Sequence, residues 1–253
     1  MRSALLSLVL VGTLATAPSH AQSEATEVEL ELLLAIDAST SIDRDEFRLQ
    51  RQGFVSAFRD PSVQSAISAL GSKGMAVALA QWAGPFQQIL GIDWHLISSP
   101  ESANAFADKL EQMDRKVQGF TDIAGALQFS TQQILQNEWA GNRLAIDVSG
   151  DGTSDKLDPA PQRDAAIAQG ITVNGLVIYS SEYDLGELAQ FSLYRHYKER
   201  VIGGPGAFLE VASDFEDFGA AIRRKLIREI SGAIYTDLPE SETSVKITQK
   251  FGR

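Results

Sequence analysis

Residues 28–43 read VELELLLAIDASTSID. The stretch is nearly continuous in Leu, Val and Ala apart from Glu29 and Glu31. That pattern describes a strand entering a fully buried interior as it proceeds. It stops at Asp37, and Ser41 and Asp43 then offer capping oxygens to a helix with Phe47, Phe54, Val55 and Phe58 on one face. A buried strand followed at once by an amphipathic helix is the repeating unit of an α/β fold.

The unit recurs along the chain. Residues 75–82 and 88–94 read as buried strands joined by Ala83, Gly84 and Pro85, a turn short enough for an antiparallel hairpin. A helix with Ala103, Phe106, Leu110 and Met113 inward follows. Another starts at Thr121 and Asp122, with Ile123, Leu127 and Ile134 on its inner face. A strand over 144–148 runs into the turn Ser149-Gly150-Asp151-Gly152, and Asp158 and Pro159 open a helix that stops at Gly170. Strands over 171–179 and 207–211, a short helix near 185–191, and a last helix carrying Phe215, Phe218, Ile222, Leu226 and Ile230 complete the order. Strands alternating with helices imply a mostly parallel sheet covered on both faces, with ligands beyond the carboxyl ends of its strands.

Composition narrows the setting. Met1 and Arg2, a short apolar run and the small residues up to Ala21 have the form of an export signal, so residues 1–21 are expected to be removed, leaving 22–28 as a short extension. No later segment resembles a membrane span. The remaining chain of about 230 residues is 44% hydrophobic over the full sequence and can bury one core without staples. It has no cysteine for a disulfide or a lipid anchor, and a soluble periplasmic or secreted protein is expected. A net charge of −11 argues against nucleic acid and anionic membranes as partners. Residues 233–253 show no periodic face, and a mobile tail is expected there.

Asp37, Ser39 and Ser41 stand two residues apart, so an extended segment would point all three oxygens one way. Thr121 at a helix mouth and Asp151 after another buried strand fall at the same edge of the proposed sheet. Few carboxylates with several hydroxyls suit a hard dication such as Mg²⁺. Taken singly, each residue is also an ordinary strand end or helix cap. Asp122 reads as a first-turn acid and stays outside the metal set.

Together, Asp37-Ala38-Ser39-Thr40-Ser41, Gly119-Phe120-Thr121-Asp122 and Asp151-Gly152 resemble the metal-ion-dependent adhesion site of von Willebrand factor A domains. The resemblance spans residues 29–232 in element order. Within that superfamily the chain is similar to uncharacterised exported bacterial proteins, through residues 146–152 and 201–208. It implies a Rossmann-like three-layer sandwich whose six-stranded sheet is mostly parallel with one antiparallel edge strand. It also implies Mg²⁺ (or Mn²⁺) held by Ser39, Ser41 and Thr121, with Asp37 and Asp151 often acting through water, and an acidic residue of a protein partner in the open position. One departure is Gly150, where many relatives carry threonine.

Other motifs carry less. The turn at 149–152 lacks the G-x-S-x-G spacing of a nucleophile elbow. His95 and His196 have no zinc or triad spacing. Gly203, Gly204 and Gly206 around Pro205 fit no phosphate loop, and Asp147, Asp151 and Asp155 lack the offsets of a calcium loop. A metal-dependent binding module is therefore expected rather than an enzyme. The competing class is a hydrolase using the metal as Lewis acid on a phosphate or peptide-like substrate, and a purely structural metal is a third.

Overall fold

The opening stretch forms β1 (Thr26–Asp37), beginning two residues earlier than expected. The computed structural model describes residues 25–154, 156–179 and 186–232. The expected export signal, the C-terminal tail, Asp155 and Leu185 lie outside the described residues. Along β1 the side chains alternate between two cores, Leu30, Leu32, Leu34 and Ile36 facing one and Leu33 and Ala35 the other. Glu31 is buried in this strand because its Oε1 accepts from Gly141 N at 2.6 Å and its Oε2 from Asn137 Nδ2 at 2.8 Å.

The other strands are β2 (Met75–Trp82), β3 (Gln88–Ile97), β4 (Trp139–Gly150), β5 (Ile171–Ile178) and β6 (Leu209–Ala212). Their order is β3-β2-β1-β4-β5-β6, and only the β2–β3 pair is antiparallel. The sheet is thus the mostly parallel, six-stranded one with a single antiparallel edge strand. β4 starts earlier than its apolar run, since residues 139–143 pair with the exposed beginning of β1 and alternate in burial.

Helices α1 (Arg44–Arg59), α2 (Pro61–Ala69), α3 (Pro100–Glu111) and α7 (Phe218–Ser231) cover one face. Helices α4 (Ile123–Leu135), α5 (Ala160–Ala168) and α6 (Gly186–His196) belong to the other. The cap expected at Asp43 is a full capping box with Glu46. α2 was not expected, for it buries only Val63 and Ile67; its start signal is Asp60, which accepts from Ser62 N at 2.8 Å ahead of Pro61.

One charged cluster lies wholly inside. Lys225 Nζ of α7 stands 2.7 Å from Asp147 Oδ1 of β4 and 2.7 Å from Glu229 Oε1, in hydrogen-bond geometry only with Glu229. Asn174 Nδ2 donates to the same Glu229 oxygen at 2.9 Å, and Phe208 N donates to Asn174 Oδ1 at 3.1 Å. Arg143 closes the end of α7 by donating to the carbonyls of Glu229 and Ile230, each at 2.7 Å.

With this order, β1 and β4 are the neighbours at which the winding of the sheet reverses. Their carboxyl ends, Asp37 and Gly150, open side by side at the place where such sheets hold ligands.

Candidate metal centre

Asp37 closes β1 opposite Trp82 and is fully buried. The chain then turns instead of extending. Ser39 N donates back to Asp37 Oδ1 at 2.7 Å, and Ile42 N donates to Ser39 O at 3.1 Å. The expectation that an extended segment aligns the three oxygens is corrected here, since the turn brings them together. Ser39 Oγ and Ser41 Oγ are 3.0 Å apart, and Ser41 Oγ donates to Asp151 Oδ1 at 2.9 Å.

Thr121 precedes α4, next to its cap Asp122, whose Oδ1 accepts from Gly125 N at 3.0 Å. Its Oγ1 lies 3.6 Å from the point where a Cβ on Gly152 would stand, which sets it beside the Asp151 turn. Ile123 N donates to Ser154 Oγ at 3.1 Å, tying the start of α4 to that same loop. Thr40 fastens the first loop to the third block, because both its N and its Oγ1 donate to Gly119 O, at 2.7 and 2.9 Å. All five candidate positions, Asp37, Ser39, Ser41, Thr121 and Asp151, therefore stand at one end of the sheet.

The electrostatics of this cluster are unbalanced. Burial, with the charge of Asp151 added, pushes the Asp37 carboxyl up to about 8, and burial also raises that of Asp151. Asp37 Oδ2 is buried without a hydrogen-bond partner. Two carboxylates and three hydroxyls, all hard oxygens, with one carboxylate oxygen left over, fit a small hard dication. Among the described residues no group of three His, Cys, Asp or Glu side chains is placed to hold a metal, so a cation here would depend on the hydroxyls.

Sequence reasoning missed Arg115, which stands beside Lys116 between α3 and α4 where no motif marks it. Its Nη2 donates to Ala38 O and Ser39 O at 2.7 and 2.6 Å, and its Nη1 to Ile42 O at 2.8 Å. One guanidinium thus fixes three carbonyls of the loop carrying Ser39 and Ser41. Arg115→Met is expected to cost about 1.5–3 kcal/mol of stability, the worth of charged hydrogen bonds, measured by urea unfolding. A loss within the error of the measurement would show that the loop holds its shape without the arginine.

A sheet of this order and winding gives the chain a von Willebrand factor A-like fold. Within that class it belongs to the family described as "Protein of unknown function (DUF1194)", whose model matches residues 27–234. No curated protein matches the chain.

Three solved structures illustrate the fold. Proximal thread matrix protein 1 from the mussel byssus is 14% identical with a TM-score of 0.57, over 82% of this chain and 49% of that one. It has also been solved with a zinc-occupied MIDAS motif. The pilus adhesin SpaC from Lactobacillus rhamnosus GG is 15% identical with a TM-score of 0.58, over 81% of this chain and 31% of that one. BatB from Bacteroides thetaiotaomicron is 17% identical with a TM-score of 0.50, over 81% of this chain and 100% of that one. The chain thus spans about half the length of the mussel protein and less than a third of the adhesin. At these identities the likeness shows the fold alone.

Proposed function

We propose that this chain is an exported binding module that takes up one divalent cation, Mg²⁺ or Mn²⁺, through Asp37, Ser39, Ser41, Thr121 and Asp151. The cation grips an acidic side chain of a protein partner. The observation that carries the reading is the partnerless buried Oδ2 of Asp37 in a cluster of hard oxygens. A carboxyl so placed is costly unless a proton or a cation joins it. When bound, the cation supplies a Lewis-acidic coordination position. The residues around it supply orientation, with Arg115 and Thr40 holding the loop.

Binding is favoured over hydrolysis by what surrounds the cluster. Phe86 is 100% exposed at φ +61°, Phe120 62% and Leu157 56%. These are the three most exposed large apolar side chains among the described residues. Phe120 adjoins Thr121, Lys156 Nζ lies 4.8 Å over its ring, and Gly84 in the Phe86 turn would place a Cβ 3.2 Å from Phe120 N. An exposed aromatic ring next to Thr121 suits an acidic residue flanked by an apolar one on another protein. A fully exposed aromatic in a left-handed backbone conformation is also a strained element of the kind kept where a surface is used. The pilus adhesin and the matrix protein among the similar structures support a non-enzymatic role. Export rests on residues 1–21; among the described residues no helix is long and apolar enough to cross a membrane.

Calorimetry with Mg²⁺ and Mn²⁺ is expected to show one site, lost on Thr121→Ala and little changed by Asp122→Ala. Peptides selected from a random library in Mn²⁺ and released by EDTA are expected to carry Asp or Glu beside apolar residues. Phe120→Ser is expected to weaken them about tenfold at unchanged Mn²⁺ affinity. Absence of cation heat, or peptides retained in excess EDTA, would overturn the reading.

A further inference from the structure

Two polar groups crowd Gly150. A Cβ on it would stand 2.7 Å from the Tyr197 hydroxyl, 2.8 Å from Asp37 Oδ2 and 3.2 Å from Trp82 Cζ2. The hydroxyl and the carboxylate oxygen therefore both lie within 2.8 Å of one point, and both are buried without a hydrogen-bond partner. Tyr197 is itself fully buried and opens a π-helical turn, Tyr197–Val201, directly after α6.

Three physical points bear on that hydroxyl. Its ring belongs to the core beside Trp82, Val148 and Val177, a role phenylalanine fills equally well without a polar atom. Leaving the hydroxyl buried and unpaired costs about 1–3 kcal/mol, so its presence needs another reason. π-turns are rare and gather at functional sites. Burial, and then the charges of Asp37 and Asp151, hold the phenol well above its ordinary range, so it is a neutral O–H donor at every physiological pH.

We infer that Tyr197 is a positioning residue of the cation site, its hydroxyl, which crowds Gly150 together with Asp37 Oδ2, turning to donate to the Asp37 carboxylate when that site is loaded. It fixes the orientation of the carboxylate once Asp37 is ionised and does not touch the partner. The inference rests on the proposed cation site. It adds to that site a residue from an element none of the three motif blocks contains. Gly150 is then required, because any side chain there would collide with both groups.

The test is Mn²⁺ titration of the wild-type protein and Tyr197→Phe, followed by calorimetry and by the near-ultraviolet difference spectrum of tyrosine. The variant is expected to fold with an unchanged or higher Tm, since it loses only an unpaired hydroxyl, yet to bind Mn²⁺ about 10–100-fold more weakly, as when an outer-shell partner is removed. Cation binding is expected to perturb a tyrosine in the wild type and to leave the variant's four remaining tyrosines undisturbed. A merely structural Tyr197 would lower Tm in the variant and leave Mn²⁺ affinity and the cation-induced spectrum as they were. Equal Mn²⁺ affinity in the two proteins, with the same difference spectrum, overturns this inference while leaving the cation site standing. A wild-type protein that takes up no cation overturns both.

Discussion

Lys225→Met is expected to destabilise the fold by about 3–5 kcal/mol, the cost of leaving a buried charge without its counter-ion. Lys225 is 0% exposed and is the one cation held between Asp147 and Glu229. Burial alone would lower its ammonium, but the two carboxylates outweigh that and hold it above its ordinary range. Burial, then Glu229, push the Asp147 carboxyl up to about 7, against the opposing pull of Lys225.

The sign of the pH dependence follows. A carboxyl whose folded pKa exceeds its unfolded value favours the folded state while protonated, and that contribution is lost as pH rises through the folded pKa. With methionine at 225 the Asp147 carboxyl loses the opposing pull of Lys225 and is driven further toward the neutral form. The gap between wild type and variant should therefore widen from pH 5 to pH 8. Urea unfolding at the two values reads it. A loss below about 1 kcal/mol, or a gap that narrows with pH, would mean that the cluster is solvated or already neutral.

This cluster also shows where the sequence stops being informative. Asp147 lies between Ile146 and Val148 in a buried strand, and alternation alone turns it toward the opposite face without saying what meets it. Lys225 and Glu229, four apart on a helix, look like an ordinary surface pair. Only the packing of α7 on β4 and β5 makes them interior.

The same distinction runs through the site. Asp37, Ser39, Ser41, Thr121 and Asp151 were legible because each follows a strand end or opens a helix, and strand order then brings those ends together. Arg115 and Tyr197 were not, since they reach the loop and the carboxylate from elements with no motif of their own. The departure at Gly150 was visible as a letter, but the crowding behind it by the Tyr197 hydroxyl, Asp37 Oδ2 and Trp82 is a matter of tertiary packing. α2 escaped because two buried residues make no periodic stripe.

Asp37→Asn is expected to remove both the cation response and much of the pH dependence of the metal-free protein. Its carboxyl stands at about 8 in the folded chain against an ordinary value of 3.8, so it stabilises the fold when protonated. That stability is complete below the unfolded value and is lost as pH climbs toward 8. The thermal midpoint of the metal-free wild type should accordingly fall between pH 6 and pH 9, and a neutral amide at 37 should flatten the fall. What remains should belong to Asp147 and Asp151, the other carboxyls that burial raises.

A divalent cation bound at Asp37 should reverse the slope, because it needs the ionised form. Each pH unit below the carboxyl's pKa should cost it about tenfold in affinity. Mn²⁺ at a fixed concentration should therefore raise the wild-type midpoint far more at pH 8.5 than at pH 6, and leave Asp37→Asn nearly unmoved at both. Equal stabilisation of wild type at the two pH values, or of wild type and variant at either, would place any bound cation away from Asp37.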